Sequence, residues 1–342
     1  MSFDDAFCHS SATHVTGRFR LLCNAKNEFL HSTTIHHMSN KITPLPPTKT
    51  ASLSSAAIPY PPTYKDTHFN RWFILTLVAF FQNFSSHRSL ISSKILYLSP
   101  KSLVKFGRTV HLSEASALGL VAASTSIPVP KVYCAFLDEE SGMSYIVMER
   151  IEGEMLGRKW FQMSEEEKED IWKQLKNILE ELRGIENLRP GSVCAADGGT
   201  LHDHRIWGAA GLNGMGPFKT EREFNLFLRN GNENTENTKD EKLKLHLDTL
   251  IEMHKEVEGR HLKTVFTHGD LSVSNVLVKN GKVVGLIDFE MSGFYPEYWE
   301  YTTAMNSIYI KGWREEIGKF LTPYPRELEM DNLWRKIFCD GP

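Results

Sequence analysis

No glycine lies between Gly17 and Gly107. Only a residue without Cβ lets a backbone close tightly on phosphate oxygens, so the first third of the chain holds no legible glycine-rich nucleotide loop. Cysteine is sparse: Cys8, Cys23, Cys134, Cys194 and Cys339 are scattered, with no C-x-x-C pair. That pattern favours reduced thiols in an intracellular protein over a disulfide frame. Cys134, after Val132 and Tyr133, reads as a buried core thiol. Cys8, Cys23, His31, His36 and His37 lack metal-site spacing and read as solvated. Long apolar runs are missing too. The longest, Trp72–Phe81, covers ten residues, whereas a membrane-spanning helix needs about twenty. It also lies too far from the N-terminus for a signal peptide. Asp4 and Asp5 oppose a mitochondrial presequence, which leaves the cytoplasm as the expected location.

The net charge of −3 hides a split. Residues 1–90 carry eight Lys/Arg against four Asp/Glu, and the remainder carries 31 against 38. An acidic body without a basic stripe argues against nucleic acid as a partner and suits a cationic small molecule. Composition is otherwise that of a soluble globular protein, with 41% hydrophobic and 24% charged residues. The length of 342 residues suits a two-lobed body with an extension. Residues 1–65 read as that extension. Thr43–Thr48 and Pro59–Pro62 are proline-rich and bracket a Ser/Ala tract, too poor in apolar surface to offset chain entropy.

The most specific signal is His268-Gly269-Asp270-Leu271-Ser272-Val273-Ser274-Asn275, followed by Asp288-Phe289-Glu290. Phosphoryl transfer from Mg-ATP needs a carboxylate to accept the proton of the attacking hydroxyl. It also needs an amide oxygen and a second carboxylate to hold the metal. Asp270, Asn275 and Asp288 have the spacing of a kinase catalytic loop and its metal ligands. Val276–Val278, Asn280-Gly281 and Val283–Ile287 read as strand, turn, strand, which would return Asp288 beside Asn275.

The local pattern resembles the aminoglycoside phosphotransferase and choline-kinase-like family, in a branch common in filamentous fungi. The matching words are Phe266–Leu271, Asn275–Val278, Ile287–Glu290 and Gly293–Tyr301. Upstream are Val104–Gly107, Glu114-Ala115, Ile127–Tyr133, Met148-Glu149 and Gly216–Phe218. The resemblance runs from about Lys94 to the C-terminus. It implies an α+β, protein-kinase-like two-lobed fold: a small antiparallel-sheet lobe over 66–150 and a mostly helical lobe over 151–342. It implies ATP- and Mg2+-dependent phosphorylation of a hydroxyl on a small polar molecule. Asp270 would be the base, with His268 orienting the loop and Asn275 and Asp288 binding Mg2+. Lys105 would hold the ATP phosphates and Glu114 would pair with Lys105. Met148 and Glu149 would lead into the hinge along the adenine. The alternative is a catalytically inactive kinase-like module that binds a ligand or partner.

Ile95–Leu98 and Leu103–Phe106 read as a hairpin around Ser99-Pro100, and Ser113 as the N-cap of the next helix. Taken alone, Lys105 and Glu114 read equally well as an exposed lysine and a dipole-stabilising acid. Beside the downstream motif the ion pair is expected. Ser164–Glu167 spells a capping box before a stripe of Ile171, Trp172, Leu175, Ile178, Leu179 and Leu182. Further helical patterns surround Phe224–Leu228, Leu243–Met253 and Trp299–Ile308. Two departures stand out. Only serines at 85, 86, 89, 92 and 93 occupy the place of a phosphate-covering loop. Gly269 and Glu290 replace the Arg and Gly of protein kinases, which argues for a small-molecule enzyme lacking a phosphorylation switch. Glu290, Glu297 and Glu300 read as helix caps or surface acids, or else as receivers of a cationic substrate.

Overall fold

The computed structural model describes residues 63–83, 94–206, 214–307 and 312–339, all within the compact unit Lys49–Pro342. The expected disordered extension up to residue 62, the serines at 85–93 and Ile308 lie outside them. Tyr64 is described: it exchanges backbone hydrogen bonds of 2.9 Å with Ala135, so the ordered chain reaches ahead of residue 66.

The apolar run at 72–81 forms the middle of helix α1 (His68–Asn83). One side, Ile74 and Val78, is buried, while Phe69, Trp72, Phe73 and Phe80 remain exposed. Strands β1 (Ile95–Ser99) and β2 (Ser102–Gly107) make the expected hairpin. Helix α2 (Ser113–Ser124) and strands β3 (Val132–Asp138) and β4 (Met143–Glu149) follow. The sheet is antiparallel in the order β1-β2-β4-β3. Side chains alternate across a strand, so Tyr145 and Val147 of β4 share a core with α1. Ile146 and Met148 of the same strand join Leu118 and Val121 of α2 in another. Ser113 is not the N-cap. Leu112 already has helical dihedrals (φ −67°, ψ −15°) and Ser113 is the first helical residue, with no side-chain cap bond. The tight turn at His111–Leu112 starts the coil one residue early.

The second part is mostly helical. Strand β5 (Glu154–Met155) leads to helix α3 (Glu165–Arg183). Ser164 and Glu167 form the expected capping box there, and Ile171, Trp172, Leu175, Leu179 and Leu182 are buried. Helices α4 (Glu221–Leu228) and α5 (Glu241–Gly259) precede strand β6 (Thr264–Thr267). Strands β7 (Val276–Lys279) and β8 (Lys282–Leu286) are joined at Asn280 (φ 51°) and Gly281 (φ 72°), the left-handed pair that an Asn-Gly hairpin requires. Strand β9 (Gly293–Pro296) pairs antiparallel with β6. Helices α6 (Trp299–Met305) and α7 (Pro325–Phe338) close the chain. The parts are stitched together where the Leu286 N–H donates to the Pro128 carbonyl at 2.8 Å and Ser126 Oγ donates to Glu181 at 3.0 Å.

Candidate active site

The loop between β6 and β7 is bolted down from inside. Leu271 and Val273 are buried in the core shared with α2 and α3. Asn275 Nδ2 donates to the Asp270 carbonyl at 2.7 Å and to Asp270 Oδ2 at 3.1 Å. With its N–H groups spent there, the Asn275 amide oxygen is the atom left for a cation. His268 is fully buried. Its Nδ1 accepts from the Asp270 N–H at 3.2 Å, and its Nε2 donates to the Ile287 carbonyl at 2.9 Å. These partners assign the proton to Nε2. The Ile287 N–H in turn donates to the Asn275 carbonyl at 3.0 Å. Both backbone groups of Ile287 are thus used to hold Asp288 beside the loop. Gly269 has φ +81°, and a Cβ there would lie 2.4 Å from the Met291 carbonyl oxygen. The loop therefore has no room for the arginine of protein kinases.

Asp288 itself adopts a left-handed conformation (φ 67°, ψ 62°), uncommon for a residue with a side chain. It reaches across to Lys105 of β2, and their Nζ–Oδ1 separation is 2.8 Å. Lys105 Nζ also lies 2.8 Å from Glu114 Oε2 and 3.1 Å from Glu290 Oε2. The three carboxylates have oxygens within 4.8 Å of one another around this one ammonium. Burial disfavours the charge on Lys105, but Glu114, then Asp288 and Glu290, outweigh it and raise its pKa well above the ordinary range. Burial pushes the Glu114 carboxyl up to about 7, against the pull of Lys105. The expected pair of Lys105 and Glu114 is therefore present, and two more acids share it.

Met148 and Glu149 end β4 at the joint between the two parts. The Met148 side chain is buried in the core, and Glu149 Oε2 accepts from the Lys131 N–H at 3.3 Å. The Met148 side chain is thus enclosed, whereas Glu149 is half-buried. Two residues read as caps, surface acids or substrate receivers have other places. Glu290 belongs to the Lys105 cluster. Glu300 is buried (3% exposed) and accepts from the His268 N–H at 2.6 Å and the Gly269 N–H at 3.1 Å. It faces the loop from inside the fold. Sequence spacing carried no signal for either, because their partners are distant in the chain. The rings of His111 and His202 also stack, with centroids 3.3 Å apart. Burial lowers both pKa values, that of His202 to about 4.

A model of the phosphotransferase enzyme family matches residues 108–331, more than half of the chain. The chain belongs to that family. The stretch matching an aminoglycoside 3'-phosphotransferase of Enterococcus faecalis is 44% identical over 55 residues, 16% of this chain and 19% of that protein. A subtelomeric hrmA-associated cluster protein of Aspergillus fumigatus is 35% identical over 68 residues, 19% of this chain and 13% of that one. The matched stretches span a fifth or less of these relatives. Among solved structures, a thermostable mutant of aminoglycoside phosphotransferase APH(4)-Ia has a TM-score of 0.48 at 14% identity, covering 70% of this chain and 79% of that one. A gentamicin complex of APH(2")-IIa has a TM-score of 0.44 at 15% identity, covering 71% and 78%. The small antiparallel sheet and largely helical second part are those of a protein-kinase-like α+β fold. No described helix is long and apolar enough to cross a membrane.

Proposed function

We propose that this chain is an ATP- and Mg2+-dependent phosphotransferase acting on a hydroxyl of a small polar molecule in the cytoplasm. Its small lobe spans about 66–150 and its helical lobe 151–342. The observation that carries this reading is the convergence of Lys105 and Asp288, 183 residues apart, at 2.8 Å. Asp288 is at the same time pinned to the loop of Asp270 and Asn275 through Ile287. The presence of Lys105, Asp270, Asn275 and Asp288 together supports this reading over that of an inert module. In this proposal Asp270, held by Asn275, accepts the proton of the attacking hydroxyl. Lys105 takes the nucleotide phosphates, with Glu114 as its permanent partner. The backbone after Met148 and Glu149 borders the adenine.

The donor set fits magnesium, a hard cation that takes oxygen ligands. The Asn275 amide oxygen and the Asp288 carboxylate would hold it, and when bound it supplies positive charge to offset that of the phosphates. The fit has a physical consequence. One ammonium faces three carboxylates here, so a free polyphosphate is repelled far more strongly than its less negative metal complex. Nucleotide binding should therefore require Mg2+. The acidic body and the aminoglycoside acceptors named for the relatives favour a cationic acceptor. The test is a screen of a metabolite extract for labelled phosphate transfer from ATP, with Asp270→Ala as control. The variant should lose transfer and keep Mg-ATP binding, since the base touches the acceptor and not the nucleotide. Equal turnover by variant and wild type would remove Asp270 from the mechanism.

A further inference from the structure

We propose that His202 is a positioning residue for Glu114. Stacked on His111, it fastens the start of α2, which carries Glu114, to the second part of the fold. The proposal rests on the reading of Lys105 and Glu114 as the pair that serves the nucleotide phosphates.

His111 lies in the turn ahead of α2, and its carbonyl accepts from the Glu114 N–H at 3.1 Å. Leu118 and Val121 anchor the middle of α2 in the core, but its start has no side-chain cap bond. His111 reaches instead to His202, in the segment between α3 and α4. The two rings lie face to face, with centroids 3.3 Å apart and planes 7° from parallel. A shift of His111 therefore passes to Glu114 through one hydrogen bond. His202 is the fixed side of the stack. Leu201, next to it, is buried in the core shared by α4, α5 and α7 and exchanges backbone hydrogen bonds of 2.9 and 2.8 Å with Met215. Gly214 leaves the ring its room: at φ +76° a Cβ there would stand 2.7 Å from His202 Cε1 and 2.9 Å from its Nδ1. Among the described residues neither imidazole makes a hydrogen bond, so stacking is what joins them.

A stack of two imidazoles holds only while the rings are neutral, because a proton taken up there loses its hydration and a second one adds repulsion. The charged groups facing His111 are Glu290, Lys94 and Lys105, and those facing His202 are His111 and Glu290. Glu290 attracts a proton to both rings. Burial outweighs it, helped by the two lysines at His111 and by His111 at His202. His202 is thereby held at about 4, against an ordinary 6.5. A base held below its free value keeps the full stability of the contact above pH 6.5 and loses it as the pH falls towards 4. Between pH 7.5 and 5.5 the stacked state should weaken about tenfold against the released one.

The experiment follows hydrogen exchange by mass spectrometry, corrected for intrinsic rates, at pH 7.5 and 5.5, and Mg-ATP hydrolysis without acceptor, where water takes the phosphate. It compares wild type with His202→Ala, His202→Phe and His111→Phe. At pH 7.5 His202→Ala should speed exchange at the start of α2 roughly 2- to 10-fold, the worth of one aromatic pair, with β6 and β9 unchanged. Its kcat/KM for Mg-ATP should fall by a similar factor. The Phe variants keep a ring that takes no proton, and at pH 7.5 they should match wild type. At pH 5.5 wild type should lose protection at the start of α2 by up to about tenfold, while His202→Phe keeps it. Three results would each overturn the proposal: unchanged exchange there in His202→Ala, lost protection at pH 7.5 in both Phe variants, or the same acid response in His202→Phe as in wild type. If His202→Ala loosens β6 and β9 as well, the Phe variants decide. A wild type that neither binds nor hydrolyses Mg-ATP would refute the proposed function instead, while exchange still shows whether His202 fastens α2.

Discussion

Replacing Gly269 with alanine adds one methyl group, and the structure says where it must go. At φ +81° the new Cβ would stand 2.4 Å from the Met291 carbonyl oxygen, 3.0 Å from its carbonyl carbon and 3.3 Å from its Cβ. Two costs follow. A residue with a side chain pays about 1–2 kcal/mol to hold a left-handed conformation. Forcing extra atoms into packed backbone typically costs a further 1–3 kcal/mol or so. The obstacle is backbone, which cannot swing aside as the end of a long side chain can. The sum is about 2–5 kcal/mol. At roughly 2–4 °C per kcal/mol for a domain of this size, the melting temperature should fall by about 4–20 °C. Differential scanning calorimetry of Gly269→Ala beside wild type, both at pH 7, measures it. Relief of the clash pulls the 269 amide from Glu300, so any residual activity should fall further than the stability loss accounts for. A drop under about 2 °C would refute the reasoning, because it would mean the loop relaxes freely and its conformation is not dictated at Gly269.

Lys105→Met leaves Glu114, Asp288 and Glu290 facing one another; breaking such a buried pair costs about 3–5 kcal/mol. The loss should be full at pH 8 and smaller at pH 5, where a carboxyl can take up the missing proton; equal losses at both pH values in thermal melts would contradict the cluster. Glu221 offers a second titration, since burial, then Glu258, raises its carboxyl from an ordinary 4.5 to about 7. A raised folded pKa means its contribution is fully present below pH 4.5 and is lost as pH rises through about 7. Discounted for its partial exposure, the effect is about 1–2 kcal/mol. Glu221→Gln should flatten the pH dependence of urea unfolding between pH 5 and 8, and an unaltered slope would count against the burial of its charge.

How much was legible in the sequence follows from chain distance. The hairpin from Val276 to Leu286 was readable because Asn280-Gly281 imposes its turn locally. So was the capping box at Ser164 and Glu167, whose partners lie three residues apart. The start of α2 was misjudged by one residue, because the turn before Ser113 is set by the backbone of His111 and Leu112 and not by a serine side chain. Glu290 and Glu300 were readable as acids but not as to their partners. Glu290 meets Lys105 from the far side of the fold, and Glu300 meets His268 only because β6 and β9 pair.

The sequence by itself determined the chemistry of the candidate site and its local geometry: an aspartate, an asparagine and a second aspartate delivered by one loop and one hairpin, plus a lysine strand and a glutamate helix. Those are properties of short spacing and residue type, and they survive without knowledge of anything distant. Only the tertiary structure decided which charges share Lys105, why Gly269 admits no side chain, and that Glu300 faces the loop. These depend on backbone segments tens to hundreds of residues apart being packed within hydrogen-bonding distance, and no local pattern records that.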